Sequence, residues 1–168
     1  MKIPNLSLLL RIRVQISIFL LGYFCIILKA SLWGSLAGPR LFLWPFCLFY
    51  VSVFTTPMMS MIQVLILGLI HDSIFNVPLG LSSLLWIAWH GFLAKQRRSL
   101  LKAPISVLWG TFAGTYFVIS TIEHLILLKT NYSTNIVQTF IETSFHIGLF
   151  PIALYYFSNI FVRLGRFS

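Results

Sequence analysis

Long apolar runs, separated by short clusters of charged or turn-forming residues, dominate the chain. Five runs lack Asp, Glu, Lys and Arg: residues 14–28, 41–70, 73–94, 103–122 and 143–162. Several reach the roughly 20 residues that a helix needs to cross a hydrocarbon core about 30 Å thick. The pattern predicts an all-α integral membrane protein, with one transmembrane domain over residues 1–168.

Turn signals divide these runs into six predicted helices. Pro57 interrupts the longest run, and because proline lacks a backbone donor and disfavours helix in the residue before it, we expect a turn there. Asn76-Val77-Pro78 predicts the next turn. The first run lacks a cleavage signal after it, so we interpret it as an uncleaved helix. The expected bounds are about 14–30, 41–55, 58–75, 79–94, 103–128 and 136–161.

The distribution of basic residues favours six spans over five. Positive residues collect on the cytoplasmic side of membrane proteins. With six spans and both termini in the cytoplasm, nine of the twelve basic residues fall inside: Lys2, Arg11, Arg13, Lys95, Arg97, Arg98, Lys102, Arg163 and Arg166. Lys29, Arg40 and Lys129 fall outside. A single kinked span over residues 41–75 would instead move the basic segment 95–98 outside.

Composition agrees with a membrane environment. Only 9% of the residues are charged and 58% are hydrophobic, whereas soluble domains carry about 25% charged residues. The formal charge of +9 comes from clusters beside apolar runs, which favours contact with anionic lipid headgroups over nucleic acid binding. Cys25 and Cys47 lie inside apolar runs without metal or disulfide spacing. The five tryptophans, Trp33, Trp44, Trp86, Trp89 and Trp109, are interpreted as interfacial anchors.

All three acidic residues and three of the four histidines are predicted near the external ends of spans. They form three groups: His71-Asp72, Glu123-His124, and Glu142 with His146. The last pair is spaced i,i+4 and shares a helix face. The residues fit either a metal or proton site in the outer half of the bundle, or helix-end and interhelical hydrogen bonds. We prefer the second interpretation, because no HExxH or similar ligand spacing is present.

Sequence signatures of enzymes are scarce. The chain has no Walker A loop, GxSxG elbow or dinucleotide fingerprint, so we expect a non-enzymatic protein without a cofactor. Ser82 or Ser83 paired with His124 or His146 would make an intramembrane serine hydrolase, which is a remote alternative. Gly110 and Gly114 form a GxxxG motif, which allows close helix packing within the chain or between chains.

The segment from Gly68 to Gly80 resembles the central signature of the rod shape-determining MreD family. It reads G-L-I-H-D-S-I-F-N-V-P-L-G, with a G-L-x-x-D at the end of one helix and an L-G at the start of the next. Tyr50 and Pro57 resemble the proline-bounded second helix of that family. A basic loop at 95–102 and a basic C-terminal end also agree. The specific letters match over about residues 39–94, and length and helix count match over the whole chain.

This resemblance implies a scaffold subunit of the elongasome, the bacterial complex that directs lateral cell-wall synthesis. Its implied location is the inner membrane. Its implied partners are the bitopic protein MreC, together with MreB, RodA and a penicillin-binding transpeptidase. The family is also similar in fold to the six-helix substrate-binding components of energy-coupling factor transporters. A substrate-binding subunit of a vitamin transporter is therefore the alternative function.

The residues expected to matter are structural or interaction residues, with no catalytic or metal role: Asp72, Gly68, Gly80, Pro57, Tyr50, Glu142 and His146. We expect Asp72 to be structural first, because its carboxylate can accept backbone donors at the start of the following helix. Small residues such as Gly68, Gly80, Gly110 and Gly114 are expected to contact partner spans.

Overall fold

The structure is entirely helical over the residues that it describes. A computed structural model of the protein describes residues 8–32, 43–54, 60–130 and 136–165, with side-chain surroundings between residues 15 and 156 of these ranges. Six helices follow in chain order: α1 (Leu8–Leu32), α2 (Trp44–Phe54), α3 (Met61–Phe75), α4 (Leu81–Leu100), α5 (Ile105–Lys129) and α6 (Ile136–Gly165).

Two helices differ from the predicted bounds by six residues: α1 begins at Leu8 instead of 14, and α4 was expected to end at 94. The helix instead continues to Leu100, so most of the basic segment 95–102 is helical and only its last residues form the turn. Positive side chains are favourable in the last turn of a helix because they oppose its dipole. The first helix-breaking residue after residue 94 is Pro104, which occupies the N-cap position of α5.

The start of α3 also differs from the expected residue 58. Ser60 is the N-cap and exchanges hydrogen bonds with Gln63 in a capping box: the Ser60 N–H donates to the Gln63 side chain at 3.1 Å, and the Ser60 side chain accepts from backbone N–H groups of the first turn. This S-x-x-Q pattern is visible in the sequence and fixes Met61 as the first helical residue.

Contacts between helices show that their directions alternate along the chain. Lys29 and Gln15 of α1 contact the C-terminal and N-terminal parts of α3 respectively, so α1 and α3 are parallel. Helix α2 is parallel to α4, since Ser52 bonds His90 and Val53 bonds Arg97. Short turns make α3 and α4, and α4 and α5, antiparallel. The pairs Ser120–Thr143 and His124–Thr139 show that α5 and α6 are antiparallel too.

Helix α2 forms the centre of the bundle. Every residue from Trp44 to Val53 is buried, as expected for a helix that is apolar on all sides. Phe49 meets two stacked rings edge-on: its centroid lies 5.4 Å from Phe112 and 5.1 Å from Phe150, which are themselves 4.2 Å apart. Aromatic rings favour such offset and edge-to-face contacts. This cluster joins α2, α5 and α6.

The prediction that the tryptophans are interfacial anchors is wrong for three of them. Trp44, Trp86 and Trp89 are all buried in the core, and the Trp89 indole N–H donates to the Thr115 hydroxyl at 3.0 Å. Only Trp109 is exposed among the tryptophans that the structure describes. Large aromatic side chains contribute more to this bundle as packing material than as anchors.

Within the described part of the chain, two helices are long and apolar enough to cross a membrane: α5, over Ile105–Lys129, and α6, over Ile136–Tyr156. Only 11% and 17% of the residues in their most apolar stretches are buried, whereas a core helix of a soluble protein is mostly buried. The described parts of α2 and α3 have 11 and 15 residues. At 1.5 Å per residue these rise about 16 and 22 Å, less than the hydrocarbon core.

Glycines of this bundle fall into two groups. A Cβ at Gly68 would lie 2.4 Å from the Ser83 Cα and 2.7 Å from the Ser83 N, so α3 and α4 touch backbone to backbone. A Cβ at Gly110 or Gly114 would meet nothing within 4 Å. Gly68 is therefore occupied by packing inside the chain, contrary to its expected use against partners, while the GxxxG face is open among the described residues.

We predict that Gly68→Ala destabilises the protein by about 1–3 kcal/mol, because the methyl group collides with backbone atoms that cannot move aside. Gly114→Ala is the matched control, and should be neutral or slightly stabilising because the space is open and alanine favours helix. Thermal unfolding in detergent measures both. Equal unfolding temperatures for the two variants would contradict the close contact of α3 and α4.

Candidate functional site

The carboxylate of Asp72 joins the end of α3 to the start of α4. Its two oxygens accept the backbone N–H of Gly80 at 2.8 Å and of Ser82 at 3.3 Å. Its own backbone carbonyl accepts from the N–H groups of Asn76 and Val77. The side chain is fully buried. The expected contact of Asp72 with backbone donors is thus present, although α4 begins at Leu81, two residues after the predicted start.

Backbone conformation at both ends of this turn depends on two special residues. Asn76, the C-cap of α3, has φ 53°, and asparagine tolerates this left-handed conformation better than most residues. Gly80, the N-cap of α4, has φ 93° and provides no side chain to cap the helix. Asp72 supplies the missing cap from the preceding helix.

Lys29 connects α1 to the same turn through His71. Its ammonium group donates to His71 Nε2 at 2.8 Å and lies 4.2 Å from the centre of the Phe75 ring. Because an ammonium group only donates, His71 Nε2 accepts and the ring proton is on Nδ1. Nδ1 faces the Ser82 hydroxyl at 3.1 Å and Asp72 Oδ1 at 3.7 Å. A neutral imidazole therefore lies between a cation and an anion.

This arrangement is not that of a hydrolase triad. In a triad the two histidine nitrogens contact the nucleophile and the acid separately. Here Ser82 and Asp72 both lie on the Nδ1 side of His71, and Lys29 holds Nε2. The serine pairings considered from the sequence do not form either: Ser82 bonds His71, and Ser83 donates to the Leu65 carbonyl.

The other predicted polar residues line α5 and α6 at the same end of the bundle. His146 is buried against Phe46 and Tyr116 and bonds the backbone carbonyl of Glu142 at 2.6 Å. The Glu142 carboxylate accepts from the Gln138 side chain at 3.0 Å. These are intrahelical contacts, in line with the preferred interpretation of helix-end hydrogen bonds.

Metal-binding side chains do not gather into a site within the residues that the structure describes. No group of three His, Cys, Asp or Glu side chains is placed to hold an ion there. His124 Nδ1 contacts the Thr139 hydroxyl at 3.2 Å, while its buried Nε2 has no hydrogen-bond partner in the described part of the chain. A single free imidazole nitrogen does not make a metal centre.

Two further predicted residues are Tyr50 and Pro57. Tyr50 is buried on α2, with its ring 4.8 Å from that of Phe54, so it belongs to the core. Pro57 lies outside the described residues. Of the candidate residues, the structure brings together Asp72, Gly80 and, by backbone packing of the same helix pair, Gly68.

Sequence reasoning missed Lys29 and Ser82 as partners of Asp72. Lys29 was used only in the count of basic residues on each side of the membrane, although a lysine at the end of an apolar run is a natural counter-ion for a buried carboxylate. The two residues are 43 positions apart, and nothing local links them. Ser82 was weighed only as a nucleophile, although hydroxyls in apolar helices commonly bond across to a neighbouring helix.

No family model, no curated protein and no solved structure matches this chain. The resemblance of residues 68–80 to the MreD signature therefore rests on the residues quoted for it.

We predict that Lys29 and Asp72 stabilise the bundle jointly. Asp72→Asn and Lys29→Met should each cost about 1–3 kcal/mol, since each leaves buried polar groups unpaired. In the Asp72→Asn background, Lys29→Met should cost less, because the charge it balances is already gone. Thermal unfolding of the four proteins in detergent measures this. Lys129→Met, an exposed lysine at the same end, is the control, and strictly additive losses would show that the two residues are not coupled.

Proposed function

We propose that this chain is a non-enzymatic scaffold subunit of the bacterial elongasome, embedded in the cytoplasmic membrane by six helices with both termini inside. The observation that carries the proposal is the geometry of the segment 68–80. Gly68 permits backbone contact, Asp72 caps α4, and Gly80 adopts a positive φ. Three of the five signature letters, Gly68, Asp72 and Gly80, thus have a physical role in joining α3 to α4, whereas Leu69 and Leu79 are exposed.

The alternating helix directions support the proposed topology. They place Asp72, Glu123 and Glu142 at one end of the bundle and the basic residues 95–102 at the other. The positive-inside tendency concerns only Lys and Arg, and the same directions put four of them within residues 95–102 at one end against Lys29 and Lys129 at the other, which fits cytoplasmic termini.

The lipid-facing surface supports action through membrane contacts. Helices α5 and α6 expose large apolar side chains along most of their length, among them Phe117, Leu125, Val137, Phe140 and Ile152. Exposed apolar surface of this extent fits lipid or the spans of partner proteins. The described turns at 76–80 and 101–104 are short, so in this part of the chain the helix faces offer most of the contact surface.

We predict that the tagged chain, isolated from bacterial membranes in mild detergent, retains an MreC-like bitopic protein, and that depletion of the chain makes rod-shaped cells round. A tagged polytopic protein of similar size is the control for unspecific recovery. If the chain carries a vitamin-sized molecule in stoichiometric amount and no cell-wall component, the transporter alternative replaces the proposal.

A second arm asks whether the cap matters for assembly. Asp72→Asn should lower the amount of folded protein and of the recovered partner in the same proportion, because the effect acts through folding. Loss of the partner with full retention of folded protein would mean that Asp72 contacts the partner itself, which contradicts the structural role argued above.

A further inference from the structure

The end of the bundle that carries the basic residues 95–102, here called the basic end, has no Asp or Glu side chain near it to balance its charge. Lys95, Arg98 and Lys102 are exposed, and none of them forms an ion pair within the described residues. The three acidic side chains of the chain lie at the opposite end of the helices. Arg97 donates to the Val53 carbonyl at 2.8 Å and so caps α2, but its charge adds to the same region.

A groove of about 550 Å³ between α4 and α5 begins beside this basic end. Ala88 and Phe92 form its α4 wall, and Gly110 and Gly114 leave space along α5 because no atom fills the positions of their missing side chains. Lys95 follows Phe92 by three residues and Ala88 by seven, so it lies on the same face of α4, about one turn beyond the groove.

The groove presents apolar surface to an occupant. Its polar atoms are already bonded inside the protein: the Thr111 hydroxyl donates to the Val107 carbonyl, and the Thr115 hydroxyl donates to the Thr111 carbonyl and accepts from Trp89. A polar small molecule would find no side-chain hydrogen-bond donor left to orient it. This chemistry fits a hydrocarbon chain.

The length of the groove fits one leaflet of a bilayer. It extends along α5 from Gly110 to Ile119, a rise of about 14 Å at 1.5 Å per residue. Half of a hydrocarbon core about 30 Å thick is about 15 Å. An acyl chain whose headgroup lies at Lys95 and Lys102 would therefore occupy the groove to its end.

We propose that the groove between α4 and α5, with Lys95 one turn beyond it and Lys102 in the turn that joins the two helices, is a specific site for an anionic phospholipid of the adjacent leaflet. The basic side chains bind the phosphate, and one acyl chain lies over Gly110 and Gly114. The inference requires that α5 lies in a membrane, and it is independent of the elongasome proposal.

The test is native mass spectrometry of the purified full chain with equal amounts of phosphatidylglycerol and phosphatidylcholine that carry the same acyl chains. We expect the wild type to retain one phosphatidylglycerol with a preference of about tenfold or more, because each nearby basic residue favours an anionic headgroup. Lys95→Gln combined with Lys102→Gln should remove most of this preference. Lys129→Gln, which removes the same charge at the other end of α5, should not.

A second pair of variants tests the groove separately from the charge. Gly110→Leu combined with Gly114→Leu fills the groove and should reduce retention of phosphatidylglycerol at least about fivefold, whereas Gly148→Leu, at another glycine with open space around it, should leave retention unchanged. Thermal unfolding confirms that the variants are folded.

Three results would overturn the proposal. Equal retention of the two lipids by the wild type would remove the headgroup site. Unchanged retention in the groove-filled variant would show that the lipid binds by surface charge alone. A wild-type dimer that the groove-filled variant converts to monomer, with lipid retention unchanged, would show that a second copy of the chain occupies the groove.

Discussion

The packing of α3 against α4 depends on one interaction: the Asp72 carboxylate accepts hydrogen bonds from the backbone N–H groups of Gly80 and Ser82. In an apolar environment each unpaired backbone group costs several kcal/mol, because water is not there to bond it. Gly80 gives the chain its reversal but has no side chain to cap the helix that follows. The preceding helix supplies the acceptor instead, so that α3 and α4 fold as one unit.

The buried charge of that carboxylate in turn accounts for the position of α1. A charge in the interior is costly unless it is paired and hydrogen-bonded. Lys29 donates to His71 Nε2, and His71 Nδ1 lies 3.7 Å from Asp72 Oδ1, so these contacts join the C-terminal end of α1 to the turn between α3 and α4. One local requirement, the cap of α4, thus determines how three helices meet.

The sequence predicts the elements of this structure better than their surroundings. Six helices and the Asp72 contact could be foreseen, because apolar run length, proline and capping chemistry are local properties. Burial of Trp44, Trp86 and Trp89 could not, since lipid and protein interior are equally apolar and a helix without a polar face does not show which side is covered. The long-range pair of Lys29 and His71 depends on a contact that no local pattern contains. The six-residue extension of α4 beyond 94 has local causes, its basic last turn and Pro104, but the apolar run on which the prediction rested ends at 94.

Helix α4 links the two ends of the bundle that carry charge. Its first turn is capped by Asp72, and Arg97 in its last turn caps α2 through the Val53 carbonyl. Bonded near both ends and in contact with α2, α3 and α5, the backbone of α4 is a firm support for the exposed side chains of Ala88 and Phe92. A groove needs such a rigid wall to discriminate between occupants, since a wall that adapts would accept any apolar chain. The Asp72 cap, which joins α3 to the start of α4, therefore also helps to hold the α4 backbone that forms one side of the groove.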